Sequence, residues 1–194
     1  MAVISGPGAE KPLSPPRTIL GVDPGSMVTG WGVVAVTGNS LTYVASGTIA
    51  AAGAQGQAAR LSRIYHGVRE VLDEFANLDG VSLEKVFFAR NAQSALKLGQ
   101  ARGVALLAAA ENGLVVHEYS SNEIKSAVVG YGHATKEQVQ TMVGSLLRVS
   151  EKMPPDAADA LAAAICHVHR QAFHTRLLEA VPDWRPAMRR RKLP

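Results

Sequence analysis

Two short segments carry carboxylates in positions where such side chains do chemistry. In Gly21-Val22-Asp23-Pro24-Gly25-Ser26 an apolar stretch ends in an aspartate, and a Pro-Gly turn leads on to Thr29-Gly30-Trp31-Gly32. Asp23 stands where an extended segment stops, and Gly25 and Gly30 leave the backbone open to close approach by a ligand. Aspartate also opens β-turns readily, so this segment alone fits either role. In Asp156-Ala157-Ala158-Asp159 the i, i+3 spacing puts two carboxylates on one face of a helix, in the first turn, where the helix dipole favours negative charge. An N-cap aspartate beside an exposed one gives the same pattern. Here, however, Asp159 falls within the alanine-rich apolar run that continues to Ile165. A carboxylate buried there needs a counter-charge, and a metal ion supplies one. Glu84 is the lone acid of Val81–Phe88; one exposed strand face explains it unless other carboxylates lie beside it.

The elements that must position these residues follow from periodicity. Thr18–Asp23, Thr29–Val36 and Leu41–Ala50 are rich in Val, Ile, Leu and Thr and are separated by short turns, which predicts an antiparallel meander. A helical face formed by Leu61, Ile64, Tyr65, Val68, Val71, Leu72 and Phe75 predicts a helix over Ala58–Phe75. A strand over Val81–Phe87 follows, then a long helix over Asn91–Asn112 ended by Gly113. Leu114–Tyr119 is the next strand. Ser120 with Glu123, and Thr135 with Gln138, are capping boxes that open helices to about Val129 and Val149. A last helix is expected from Asp156 to about Phe173. The order βββ-α-β-α-β-α-α-α predicts an α/β fold whose mixed sheet has three antiparallel strands, with parallel ones added through helical crossovers.

Composition bounds the rest. The chain has 194 residues, 47 % of them hydrophobic, enough to bury a core, and its mean hydropathy is +0.06. No apolar run approaches the roughly 20 residues of a membrane helix, and Met1–Arg17 lacks an apolar signal core. The single cysteine, Cys166, excludes an intramolecular disulfide and a cysteine-based zinc site, and it fits a cytoplasmic location. The isoelectric point of 9.4 belongs to one end. Without Arg185, Arg189, Arg190, Arg191 and Lys192 the formal charge of +4 becomes −1. A run of this kind is either a solubilising tail or a sequence-independent grip on phosphates. The expected organisation is a disordered extension over residues 1–17, one folded domain over 18–175 and a basic tail over 176–194.

Three blocks together resemble the RuvC family of Holliday-junction resolvases. They are Asp23-Pro24-Gly25-Ser26 with Thr29-Gly30-Trp31-Gly32, the long run from Asn91 to Gly103, and Asp156-Ala157-Ala158-Asp159-Ala160-Leu161. The resemblance runs from about Thr18 to His169. It implies an RNase H-like fold with helices on both faces of the sheet and a cluster of four catalytic, metal-binding acids: Asp23, Glu84, Asp156 and Asp159. It also implies two Mg²⁺ or Mn²⁺ ions, roughly 4 Å apart, serving phosphodiester hydrolysis in recombination and DNA repair. Lys125 and Lys136 match basic positions near the DNA path, and Phe87 by its position is a candidate to stack on an unpaired base. Arg90, Lys97 and Arg102 are further candidate DNA contacts, with plain solvated surface as the alternative. Ala95, Gly99 and Gly103 form a small-residue stripe suited to close helix contact. His167 and His169 read as surface or core histidines rather than metal ligands. The partners implied are four-way junction DNA, a second copy of the chain in a homodimer, and a branch-migration motor of the RuvA and RuvB type.

Other readings are open. Actin-like ATP-binding proteins also begin with a strand, an aspartate and a glycine turn, but they need a second phosphate loop that this chain lacks. A junction-binding module without chemistry has no use for four carboxylates. An RNase H-like enzyme acting on RNA is separated from the first reading by a substrate panel.

Overall fold

The computed structural model describes residues 16–75, 77–85 and 92–180. Phe87, Arg90 and the arginine-rich tail lie outside these. The elements are β1 (Arg17–Asp23), β2 (Val28–Thr37), β3 (Ser40–Ala50), α1 (Gln57–Glu74), β4 (Gly80–Glu84), α2 (Ala92–Glu111), β5 (Val116–Tyr119), α3 (Ser121–Val129), α4 (Lys136–Leu147) and α5 (Pro155–Ala180). The order is the expected one. β4 runs to Glu84, the end of the expected strand at Val86 and Phe87 lying outside the described residues, and α5 runs to Ala180 rather than Phe173. No glycine or proline interrupts the chain between Asp156 and Ala180, and the next proline is Pro182.

The strands form one sheet in the order β3-β2-β1-β4-β5. β1, β2 and β3 pair antiparallel, while β4 and β5 join parallel to β1 and to each other. Helices cover both faces, because strand side chains alternate. Leu20, Val22, Val33, Val81 and Leu83 face α1 and α2, whose Ile64, Val68, Ala101, Ala105 and Ala108 complete one core. Ile19, Val34 and Val36 face the other way, toward α3, α4 and α5. Val33 and Val34 serve opposite cores by this alternation, and the irregularity beside them falls on β3, where Val44 is passed over between Tyr43 and Ala45.

Both capping boxes form as their spacing predicts. Ser120 accepts from the Glu123 amide and Glu123 from that of Ser120; Thr135 and Gln138 do the same. Gly113 takes a positive φ of 70° at the end of α2. Among the described residues no helix is long and apolar enough to cross a membrane.

Candidate active site

The site is built where β1 ends beneath the start of α5. On β1, Ile19 faces the α5 side, so Gly21 and Asp23, at the same alternation, face it too. α5 rests almost backbone-to-backbone on the sheet. A Cβ at Gly21 would stand 1.9 Å from the Ala160 carbonyl oxygen, and one at Gly30 would stand 1.9 Å from that of Asp156. Gly30 is the cross-strand partner of Asp23. The residue beside the aspartate is therefore empty of side chain so that the first turn of α5 can settle there. This corrects the expectation that Gly25 and Gly30 admit a ligand: both are closed by the chain's own backbone. A Cβ at Gly25 would meet the Val28 carbonyl oxygen, and the buried Thr29 hydroxyl donates to the Gly25 carbonyl at 3.1 Å.

The alanines of α5 serve the same contact. Ala157, Ala158, Ala160, Ala162, Ala163 and Ala164 are buried against the sheet and α3. Under the helix, Ser82 of β4 is fully buried and its hydroxyl donates to the Ala163 carbonyl at 2.7 Å. In consequence one carboxylate oxygen from each of Asp23, Asp156 and Asp159 lies within 4.8 Å of the others, the one such trio among the described residues. Glu84 comes alongside through the parallel pairing of β4 with β1, which is recorded up to Val22 and Leu83. It belongs to the cluster's electrostatics rather than to the tight trio.

Electrostatics show how little positive charge the site contains. Burial, then Glu84, Asp159 and Asp156, push the Asp23 carboxyl up to about 7. Burial likewise raises Glu84, which is held down in part by a hydrogen bond from the Ser121 side chain and by Lys125 and Lys136. Asp159 is raised by burial and opposed by its bond to Lys136. The donors are oxygen atoms alone, without Cys or His, which suits hard cations such as Mg²⁺ and Mn²⁺. A cavity of about 270 Å³ beside the cluster is lined by Glu84, Ser121, Lys125, Lys136 and Asp159. A larger cleft of about 850 Å³ near Arg17, His117 and His174 lies outside the carboxylate cluster.

The sequence did not reveal two of these contacts. Lys136 is ion-paired with Asp159, and Ser121 bonds Glu84. The only signal was their place beside the two helix caps. Lys125 is half-buried on the cavity wall. Lys97 is half-buried on α2, and Arg102 is ion-paired with Glu118 of β5, which locks helix to strand. His167 is buried, with its Nδ1 at 2.8 Å from the Tyr119 hydroxyl, and His169 Nδ1 is at 2.8 Å from the Ala127 carbonyl oxygen. Neither belongs to the acidic trio. Ala95, Gly99 and Gly103 are exposed, and no atom of the described chain would meet a Cβ at either glycine.

A mixed sheet in this order, with carboxylates from β1 and from the helix lying across it, defines the chain as an RNase H-like nuclease. The family model described as "Crossover junction endodeoxyribonuclease RuvC" matches residues 19–167. A crossover junction endodeoxyribonuclease RuvC from Pseudomonas fluorescens is 54 % identical over 154 residues, covering 79 % of this chain and 87 % of that one. The structure of Thermus thermophilus RuvC in complex with Holliday junction substrate superposes with a TM-score of 0.76 at 36 % identity, covering 82 % and 97 %. The yeast mitochondrial resolvase Ydc2 shares the fold at 13 % identity, with a TM-score of 0.62 over 87 % and 85 %. The chain belongs to the RuvC family of crossover junction endodeoxyribonucleases.

Proposed function

We propose that the chain resolves Holliday junctions in recombination and repair by cation-dependent hydrolysis of two opposed phosphodiesters, leaving 5′-phosphate and 3′-hydroxyl ends. The observation that carries this reading is the trio of Asp23, Asp156 and Asp159 oxygens within 4.8 Å of one another. With Glu84 beside it, the trio is an all-carboxylate donor set that fits two Mg²⁺ or Mn²⁺ ions. Bound there, such cations polarise a phosphodiester and lower the pKa of water. The chain's own part is to hold the donors. Asp23 is fixed by β1 and Asp156 and Asp159 by α5, and with Glu84 of β4 they are the residues that would hold the cations. Lys125 and Lys136 stand at the cavity wall as phosphate contacts.

The outer face of α2 supports a homodimer. Ala92, Leu96, Gly99, Gly103, Leu107 and Ala110 fall on one stripe at helical spacing, and all are exposed. Ala101, Ala105, Ala108 and Ala109 are buried on the opposite side. A helix apolar on both faces, with glycines that meet nothing, suits a second copy. The motor partner of the RuvA and RuvB type is supported by family membership alone and is tested by co-sedimentation.

The decisive experiment compares the native chain with Asp23→Asn on a synthetic four-way junction in Mg²⁺ and in Mn²⁺, with duplex DNA and an RNA–DNA hybrid as alternatives. Paired nicks in the junction that disappear in the variant are expected. Undiminished cutting by Asp23→Asn, or preferred cutting of the hybrid, overturns the reading.

A further inference from the structure

Lys136 is the first residue of α4, and that is a poor place for a cation. The amino end of a helix carries partial positive charge, and a lysine there opposes it. The capping box of Thr135 and Gln138 already satisfies the backbone at this end, and Glu137 supplies the favourable first-turn charge. The ammonium is turned instead to Asp159, with which it forms an ion pair. The two partners differ in freedom. The Asp159 side chain is 20 % exposed and sits on the buried helix α5, whereas that of Lys136 is 52 % exposed and borders the cavity it shares with Glu84, Ser121 and Lys125. The carboxylate is fixed and the ammonium has somewhere to go.

We propose that Lys136 is an exchangeable counter-ion of the acidic cluster: it neutralises Asp159 while no divalent cation is bound, and yields that carboxylate when one binds. The freed ammonium then takes a phosphate oxygen of the DNA strand. Lys136 is thus a positioning residue whose partner depends on the state of the site. The idea rests on the reading of Asp23, Asp156 and Asp159 as cation ligands. It adds that Lys136 competes with the cation, so that removing the charge strengthens cation binding.

The test is Mn²⁺ binding to the full-length protein, followed by electron paramagnetic resonance without DNA. A unit charge displaced from close contact in a half-exposed site corresponds to about a factor of ten in affinity. Lys136→Met is therefore expected to bind Mn²⁺ about tenfold more tightly than the native chain, and Lys136→Arg, which keeps the pair, no more tightly than it. A second readout is junction binding. Lys136→Met is expected to weaken it more in Ca²⁺, where the ammonium is free for phosphate, than in EDTA, where Asp159 engages it; an equal loss in both overturns the exchange. Circular dichroism confirms that the half-exposed substitution leaves the fold intact. Equal or weaker Mn²⁺ binding by Lys136→Met overturns the exchange alone. Failure of the native chain to bind Mn²⁺ removes the cation-ligand reading and the exchange with it.

Discussion

A carboxylate buried among other carboxylates weakens the fold that holds it, and Asp23 is in that position. Its pKa is raised from 3.8 to about 7, first by burial and then by Glu84, Asp159 and Asp156. Between those values the folded state binds a proton that the unfolded state does not, so stability falls as pH rises through this window. Above about pH 7 the cation-free fold carries the full penalty. Asp23→Asn removes the charge and keeps the shape. In EDTA the variant is expected to melt higher than the native chain at pH 8, with the gap narrowing as pH falls toward 4. The buried His167 is pushed down to about 4 by burial and by His117, and so loses stability on acidification, but it is common to both proteins and cancels in the difference. In Mg²⁺ the same substitution should lower junction cleavage by more than about a hundredfold, the loss seen when only an outer partner of a metal ligand is removed. Scanning calorimetry at several pH values checks the first expectation. A variant melting below the native chain at pH 8 would show that Asp23 stabilises the fold after all.

At the scale of elements, the site depends on how closely α5 approaches the sheet, and Gly30 sets that distance. Gly30→Ala would place a methyl 1.9 Å from the Asp156 carbonyl oxygen, so the first turn of α5 must lift. Overpacking of this kind costs about 1–3 kcal/mol. A displacement of about 1 Å at reacting groups can cost a hundredfold in rate. The expected result is a folded, less stable protein with weakened Mn²⁺ binding and strongly reduced cleavage; native cleavage with a lowered melting temperature would separate the glycine from the site. The order of elements was legible because its signals are local. Alternation marks β1 to β3, and the Ser120–Glu123 and Thr135–Gln138 boxes mark the starts of α3 and α4. The carboxylates were legible because acids within apolar runs are costly unless used. The role of Gly30, the Ser82 bond to Ala163 and the pairing of Lys136 with Asp159 were not legible, because each joins segments distant in sequence. A glycine that admits a helix and one that admits a ligand look alike in a sequence.

At the scale of the whole molecule, the described residues of one chain hold one acidic cluster, while a four-way junction presents two strands related by a two-fold axis. A C2 pair of chains matches that symmetry, and its interface must be a surface that meets itself. The α2 stripe has that character. Leu96 is 67 % exposed and Leu107 51 % exposed, with Gly99 and Gly103 between them offering no side chain to hold a second helix off. Replacing Leu96 and Leu107 together by Glu sets like charges against their copies across the axis and leaves the inward Ala101, Ala105 and Ala108 untouched. The native chain is expected to sediment as a dimer and the double variant as a monomer. Because none of the acidic cluster belongs to α2, Mn²⁺ binding by the monomer should match that of the native chain. Junction cleavage should then change in kind as well as in rate, with single uncoupled nicks replacing paired opposed ones. A double variant that still sediments as a dimer would place the two-fold contact on another face of the molecule.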